Sequence, residues 1–312
     1  MSAFVVVNPR SANGRTGREW PGIERALFGV YPRLTAAFTR TRGEAMALVR
    51  HALREGHQEI VVVGGDGTIN EAVNGMFDSQ GAIEPEAVLA FVTSGTGGDF
   101  RRTFGIGVGA EGAVARLKTA SVVRCDVGRV WCLTADGAPT MRHFVNIASF
   151  GMSGVVIDTV NRARIAKLFG GGFAFAFHSA ATMLRYRNVP VRLLVSGEED
   201  DIATISTVAV ANGKYFGGGM LVAPDARVDD GVFDVVVIGG APRRQSLAKM
   251  KLIYTGAHIH EPHVRVMRGA RVVAAPVAET AGRPVLIETD GELAGRLPAT
   301  FEILPKALNL RC

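Results

Sequence analysis

One stretch constrains this chain more than any other: Ile60-Val61-Val62-Val63-Gly64-Gly65-Asp66-Gly67-Thr68-Ile69-Asn70-Glu71. An apolar strand runs into three glycines set around one aspartate, and Thr68 is placed to cap a following helix. Backbone without side chains lets N–H groups converge on phosphate oxygens, and the helix N-terminus adds partial positive charge. A carboxylate at the turn, Asp66, can hold a phosphate-bound cation or orient a hydroxyl. The plainer reading is a tight turn, with glycine for positive φ and aspartate for an Asx bond.

The surroundings favour the phosphate loop. Apolar runs at residues 4–7, 34–38, 59–63 and 88–93 read as strands. Between them, residues 43–55 place Ala45, Leu48, Val49, Ala52 and Leu53 on one helical face, and 68–76 and 110–117 read as further helices. This alternation predicts an α/β domain with a doubly wound parallel sheet, whose ligands bind at the carboxyl ends of its strands. Two more loops lie at such ends, Asn8-Pro9-Arg10-Ser11-Ala12-Asn13-Gly14-Arg15 and residues 93–102. No Walker A sequence occurs, and no G-x-G-x-x-G with a downstream ribose acid.

After Cys125 the texture changes. Strand-like runs recur at 127–133, 143–148, 191–195, 202–210, 232–238, 264–266, 271–274 and 285–288, interrupted by helical patterns near 155–169, 173–186 and 243–254. Many strands with few crossovers predict a mainly antiparallel β-sandwich or flattened barrel. The expected division is residues 1–125, then 126–298, with 299–312 packing back on the first unit.

Composition narrows the class. Hydrophobic residues make up 47% and charged residues 21%, which excludes a disordered chain. A net charge of +6 favours anionic partners. Three cysteines with no C-x-x-C spacing argue against a disulfide framework or zinc ribbon. The spacing His258-x-His260-x-x-His263 suits a turn and not a zinc site. No signal peptide precedes the first strand and no run is long enough to span a bilayer, so a cytoplasmic protein is expected. The basic residues Arg162, Arg164 and Lys167, beside the apolar stretch 173–186, read either as a core helix pair or as the rim of an acyl-chain cleft docking on anionic lipid.

Five motifs in order, NPRSANG, GGDGTINEAVNG, GTGGDF, VANGKYFGGGMLVAPDARVDDGVFDVVVI and TDGE, resemble the bacterial diacylglycerol kinase-like lipid kinases. Eukaryotic diacylglycerol, sphingosine and ceramide kinases share that catalytic core. The match runs from about Val5 to Pro298. The resemblance implies that ATP is held by Asn8, Pro9, Arg10, Ser11 and Ala12, by Gly65, Asp66, Gly67, Thr68, Ile69, Asn70 and Glu71, and by Thr96, with Arg102 keeping its place nearby. A threonine ending the second strand also contacts nucleotide, and Thr39 matches better than Thr41. The third loop usually carries asparagine where this chain has Gly98. The resemblance further implies a Mg²⁺ site, with the carboxylate of Asp230 and the main-chain carbonyls of Arg227 and Val232. Oxygen ligands with retained waters suit that ion. Glu292 is implied as the general base toward a lipid hydroxyl, and Asp126 matches an aspartate near the reacting phosphate.

The expected activity is therefore ATP- and Mg²⁺-dependent phosphorylation of diacylglycerol or a related lipid. The partners expected are that lipid at an anionic membrane surface and, at most, a second copy of the chain, with no nucleic acid. Two other readings compete. One is an NAD kinase-like enzyme, which also uses a Gly-Gly-Asp-Gly-Thr loop. The other is a non-catalytic lipid-binding relative.

Overall fold

The computed structural model describes residues 2–93, 98–107, 109–162, 185–240, 251–277 and 282–312. Strands β1 (Ser2–Val7), β2 (Arg33–Phe38), β3 (Glu59–Val63) and β4 (Val88–Val92) lie parallel in the order β2-β1-β3-β4. Side chains alternate between the two faces. Val5, Val7, Val61 and Val63 meet Trp20, Ile23 and Leu27 of α1 (Arg15–Phe28) and Val114 and Leu117 of α5 (Ala110–Leu117). Phe4, Val6, Ile60 and Val62 meet Val49 and Leu53 of α2 (Glu44–Arg54) and Ile69 and Val73 of α3 (Asp66–Met76). Both faces are covered, so the inner strands β1, β3 and β4 are almost wholly apolar, while the edge strand β2 is partly exposed.

Helix α1 is absent from the sequence reading. Gly17, Pro21 and Gly22 interrupt its pattern, and each disfavours a helix interior. Yet Trp20, Ile23 and Leu27 fall on one stripe and are buried. Burial of that stripe outweighs local propensity.

The second half is antiparallel. Strands β7 (Ile147–Gly151), β8 (Val189–Val195), β9 (Asp201–Ala211), β14 (Arg271–Pro276), β15 (Leu286–Thr289) and β16 (Glu292–Arg311) pair in the circuit β16-β14-β8-β9-β7-β15-β16, which closes on itself. Phe150, Val208, Ile287 and Phe301 fill its interior. Strands β5 (Val122–Leu133) and β6 (Pro139–Phe144) flank β16. Strands β12 (Phe233–Gly239) and β13 (Val264–Gly269) extend the sheet from β9. The expected strand at 143–148 is two strands, because Val145, Asn146 and Ile147 turn their N–H groups to Asp290. The helical pattern at 173–186 falls almost wholly outside the described residues, as do 163–169 and 241–250.

The two halves share a strand. β16 pairs with β14 and β15 near its start and runs parallel to β4 at Asn309–Arg311, so a boundary drawn at 298 falls inside it. Its far end is held by a bidentate ion pair, Arg311 Nε and Nη2 donating to Glu59 at 2.6 and 3.0 Å. Tyr31 donates to the same carboxylate at 2.8 Å. This ion pair anchors the end of β16 in the parallel part of the sheet.

Candidate active site

The loop after β3 is shaped by close approach. A Cβ on Gly64 would stand 2.7 Å from Thr68 Oγ1, so only glycine fits there. Helix α3 begins at Asp66 with Gly65 as its N-cap, two residues earlier than expected. Thr68 therefore does not cap it. The buried hydroxyl instead accepts a hydrogen bond from Asn8 Nδ2 at 2.9 Å, joining the first loop to the second. Asn8 also accepts from the Arg10 N–H and, through its carbonyl, from Ser11 Oγ. Beyond Pro9, Ala12 and Asn13 hold left-handed φ of 51° and 56°, which turns the chain sharply into α1. Thr39 is buried at the end of β2 with its N–H on Val7 O, whereas Thr41 lies exposed and donates its N–H to Glu44.

Asp66 is the charged centre of this end. Oδ2 accepts the Asp99 N–H at 2.9 Å, while Oδ1 is buried with no hydrogen-bond partner. Burial, with the like charges of Asp99 and Asp290, pushes its carboxyl up to about 6. Asp99 opens α4 (Asp99–Thr103), accepts the Gly218 N–H at 2.7 Å and faces Arg102 Nε at 3.6 Å. Gly98 has φ +104°, and a Cβ there would stand 2.9 Å from Nε of the buried Arg101. The missing asparagine is thus accounted for by space needed by Arg101. Thr96 lies outside the described residues.

Across the cleft, Asp290 and Gly291 hold φ of 49° and 83° between the paired residues Thr289 and Glu292. Successive left-handed residues make the tight two-residue hairpin turn, for which Asp-Gly is a preferred sequence. The hairpin turn expected from Asp-Gly is present. The buried Asp290 carboxylate accepts from Asn70 Nδ2 at 2.9 Å and from the N–H groups of Val145, Asn146 and Ile147 at 3.0–3.1 Å. Asn70 is a helix α3 residue, so the helix after the glycine loop is tied directly to the turn that carries Glu292. Asn74 supports it by exchanging both amide groups with the His143 backbone at 2.9 Å. Beside them, Glu288 is wholly buried, hydrogen-bonded to Ser149 and accepting the Gly291 N–H at 2.8 Å. Desolvation pushes it up to about 8, against the lowering effect of those two hydrogen bonds. Glu292 reaches back over the loop: a Cβ on Gly67 would be 3.1 Å from its Oε1. Its Oε2 pairs with Arg42.

The remaining expected residues form a second cluster. Asp126 is fully buried, and its oxygens accept the N–H groups of Gly231 at 2.7 Å and Lys306 at 2.6 Å. Its carboxylate is committed to backbone, pinning the loop that carries Asp230. Asn212 links β5 to the β6–β7 junction, donating to the carbonyls of both Asp126 and Val145. Asp230 pairs with Arg268 and accepts the Val232 N–H at 3.3 Å, while Arg227 faces Asp229 at 3.4 Å. Replacing the buried Asp126 by Ala leaves a cavity and removes the acceptor of two part-buried N–H groups, so a loss of about 1–3 kcal/mol is expected by chemical denaturation. A loss under about 0.5 kcal/mol would contradict this role.

With this geometry in view, comparison with known proteins is decisive. Residues 2–130 match the model of the diacylglycerol kinase catalytic domain, and residues 146–312 match the YegS C-terminal NAD kinase beta sandwich-like domain. The chain belongs to the bacterial diacylglycerol kinase-like lipid kinases. It is 28% identical to a diacylglycerol kinase of Staphylococcus carnosus over 304 residues, covering 96% of this chain and 91% of the relative. A diacylglycerol kinase of Mycobacterium tuberculosis is 27% identical over 268 residues, 86% of this chain and 81% of the relative. A solved diacylglycerol kinase structure from Bacillus anthracis superposes with a TM-score of 0.72 at 21% identity, over 99% of this chain and 96% of that one. Yeast NADH kinase superposes with a TM-score of 0.50 at 11% identity, over all of this chain and 83% of that one, a likeness of fold. This lipid kinase is thus a phosphotransferase whose family implies ATP as co-substrate. Among the described residues, no helix is long and apolar enough to cross a membrane.

Sequence reasoning missed Arg42, Asn74 and Glu288 as members of the site. A lone arginine in a polar loop carries no pattern. Asn74 and Glu288 gain meaning only once β6 and β15 are seen to pack on helix α3.

Proposed function

We propose that this lipid kinase transfers the γ-phosphoryl group of ATP to the hydroxyl of diacylglycerol or a closely related lipid, with Glu292 as general base. The observation that carries this reading is the placement of the Glu292 carboxylate directly over Gly67 of the phosphate loop. Nucleotide phosphates lie along the backbone of residues 65–68 and the Asn8–Ala12 loop, and the acceptor hydroxyl enters from the side of Glu292. Phosphoryl transfer has a loose transition state, so positioning and charge neutralisation supply most of the catalysis. Glu292 takes the hydroxyl proton as the new P–O bond forms. Asp66 and Asp99 orient the loop ends between which the reacting groups meet. Thr39, Thr96 and Arg102 border the nucleotide in this reading.

The donor set around Asp230 fits a hard cation: one carboxylate and the main-chain carbonyls of Arg227 and Val232, on a loop held by Asp126. The buried Asp234 Oδ2 nearby has no hydrogen-bond partner, and its Oδ1 faces Arg268 at 3.6 Å. Mg²⁺ bound there would neutralise charge gathered at the cleft. Asp230→Ala is expected to lower activity steeply and to raise the Mg²⁺ concentration needed for half-maximal rate. A parental Mg²⁺ titration would return Asp230 to a structural ion pair with Arg268.

The net charge of +6 supports docking on anionic lipid. The basic residues expected to form that rim lie mostly outside the described residues. Binding to phosphatidylglycerol vesicles should weaken as salt rises, because screening lengths fall to ~10 Å at 0.1 M. Equal binding to neutral vesicles at low salt would count against it. The proposed substrate is tested by incubating the protein with ATP, Mg²⁺ and either diacylglycerol micelles or NAD. Phosphatidate is the expected product, and NADP formation would favour the NAD kinase-like reading.

A further inference from the structure

Arg42 has no part in the mechanism above, yet its placement is highly determined. Two carboxylates fix its backbone. Glu71 of helix α3 accepts the N–H groups of Gly43 and Ala45 at 2.8 and 3.2 Å, and Glu44 accepts those of Arg40 and Thr41. The segment is therefore tied to the helix that begins at the phosphate loop. From this anchor the guanidinium crosses the cleft to the carboxylate of Glu292, which itself lies against Gly67. A planar cation with paired N–H donors thus stands at the lip of the phosphate loop.

We infer that Arg42 is a nucleotide-responsive residue, which holds Glu292 while the cleft is empty of nucleotide and transfers its guanidinium to the polyphosphate of ATP when that binds. The inference rests on the reading of Glu292 and the Gly67 loop given above. Two points support it. First, the Arg42 side chain is 56% exposed, so it can swing without repacking any core. Second, its partner carries a single negative charge, whereas the triphosphate brings several and offers bidentate geometry to a guanidinium. Transfer of Arg42 to phosphate leaves the Glu292 carboxylate open to the acceptor hydroxyl at the moment the donor is in place. ATP binding and release of Glu292 then become one event.

A double-mutant cycle on nucleotide affinity tests this without relying on turnover. Calorimetry with a non-hydrolysable ATP analogue would be run on the parent, Arg42→Ala, Glu292→Gln and the double variant, with AMP as a control lacking the outer phosphates. Arg42→Ala should weaken analogue binding by about tenfold and leave AMP binding unchanged. Glu292→Gln should strengthen analogue binding about threefold by releasing Arg42. In the Arg42→Ala background that gain should disappear. If Glu292 only repels phosphate, its removal would help as much or more when Arg42 is absent, and the inference fails. It fails too if Arg42→Ala leaves analogue affinity unchanged, since Arg42 is then a fixed clamp on Glu292. Absence of analogue binding to the folded parent would instead overturn the ATP reading of the site. Melting temperatures of all four proteins confirm that folded states are compared.

Discussion

Replacing Glu292 by Gln is expected to lower kcat by ~10²–10⁴-fold, the usual contribution of a general base, without weakening ATP binding. Glutamine keeps the size of the side chain and can still hydrogen-bond, but it cannot accept the proton of the attacking hydroxyl. The fold should survive, since the Glu292 side chain is partly exposed and its ion pair with Arg42 is a surface one. Asp290, which shapes the turn with its four N–H donors, is untouched. Melting temperature, ATP affinity and kcat measured on one preparation separate the cases. A fold-only role would lower the melting temperature and leave turnover per folded molecule intact. Near-parental turnover would move the base elsewhere, with Asp66 the next candidate on geometry.

The second large effect is expected from Gly67→Val. The added Cβ would stand 3.1 Å from Glu292 Oε1, and the two methyl groups beyond it would fill the space between loop and carboxylate. Nucleotide phosphates need that space, so ATP affinity should fall at least ~100-fold, which corresponds to about 2.7 kcal/mol. Stability should change far less. Gly67 does not hold a left-handed φ, and valine costs only about 0.6 kcal/mol of helix propensity relative to alanine. Gly67→Ala should fall between parent and valine. A folded Gly67→Val protein with parental ATP affinity would show that phosphates do not approach this backbone.

Much of the nucleotide half was legible in the sequence because its strands are buried on both faces. Strand β3 and helix α5 coincide with their expected bounds, and α2 begins and ends within one residue of them. Helix α1 was not legible, since two glycines and a proline hide a stripe that only tertiary burial reveals. Strand β16 was missed for a different reason. It carries two prolines, a left-handed Lys306 and two register breaks, so it reads as several pieces. Pairing with β14, β15, β5 and β4 makes it one strand.

The site divides in the same way. Gly64, Gly67, Asp66 and Glu292 were marked by local motifs whose chemistry depends on a few adjacent residues. Asp126 was singled out, but its use is visible only in three dimensions, where both oxygens bind backbone N–H groups of distant loops. The Asn70–Asp290 bond spans 220 positions and ties the turn carrying Glu292 to helix α3, and no sequence pattern announces such a pair. Residues that touch a ligand tend to sit in short motifs. Residues that hold two motifs together do not.

The central claim is that Glu292 and the Gly67 loop assemble one site for phosphoryl transfer to a lipid hydroxyl. Phosphorus NMR of a reaction containing the protein, ATP, Mg²⁺ and diacylglycerol in mixed micelles tests it most directly. The account predicts a lipid phosphomonoester resonance growing in step with ADP for the parent, and almost none over the same time for Glu292→Gln. ADP formed without a lipid phosphomonoester, or equal product from the two proteins, would contradict it.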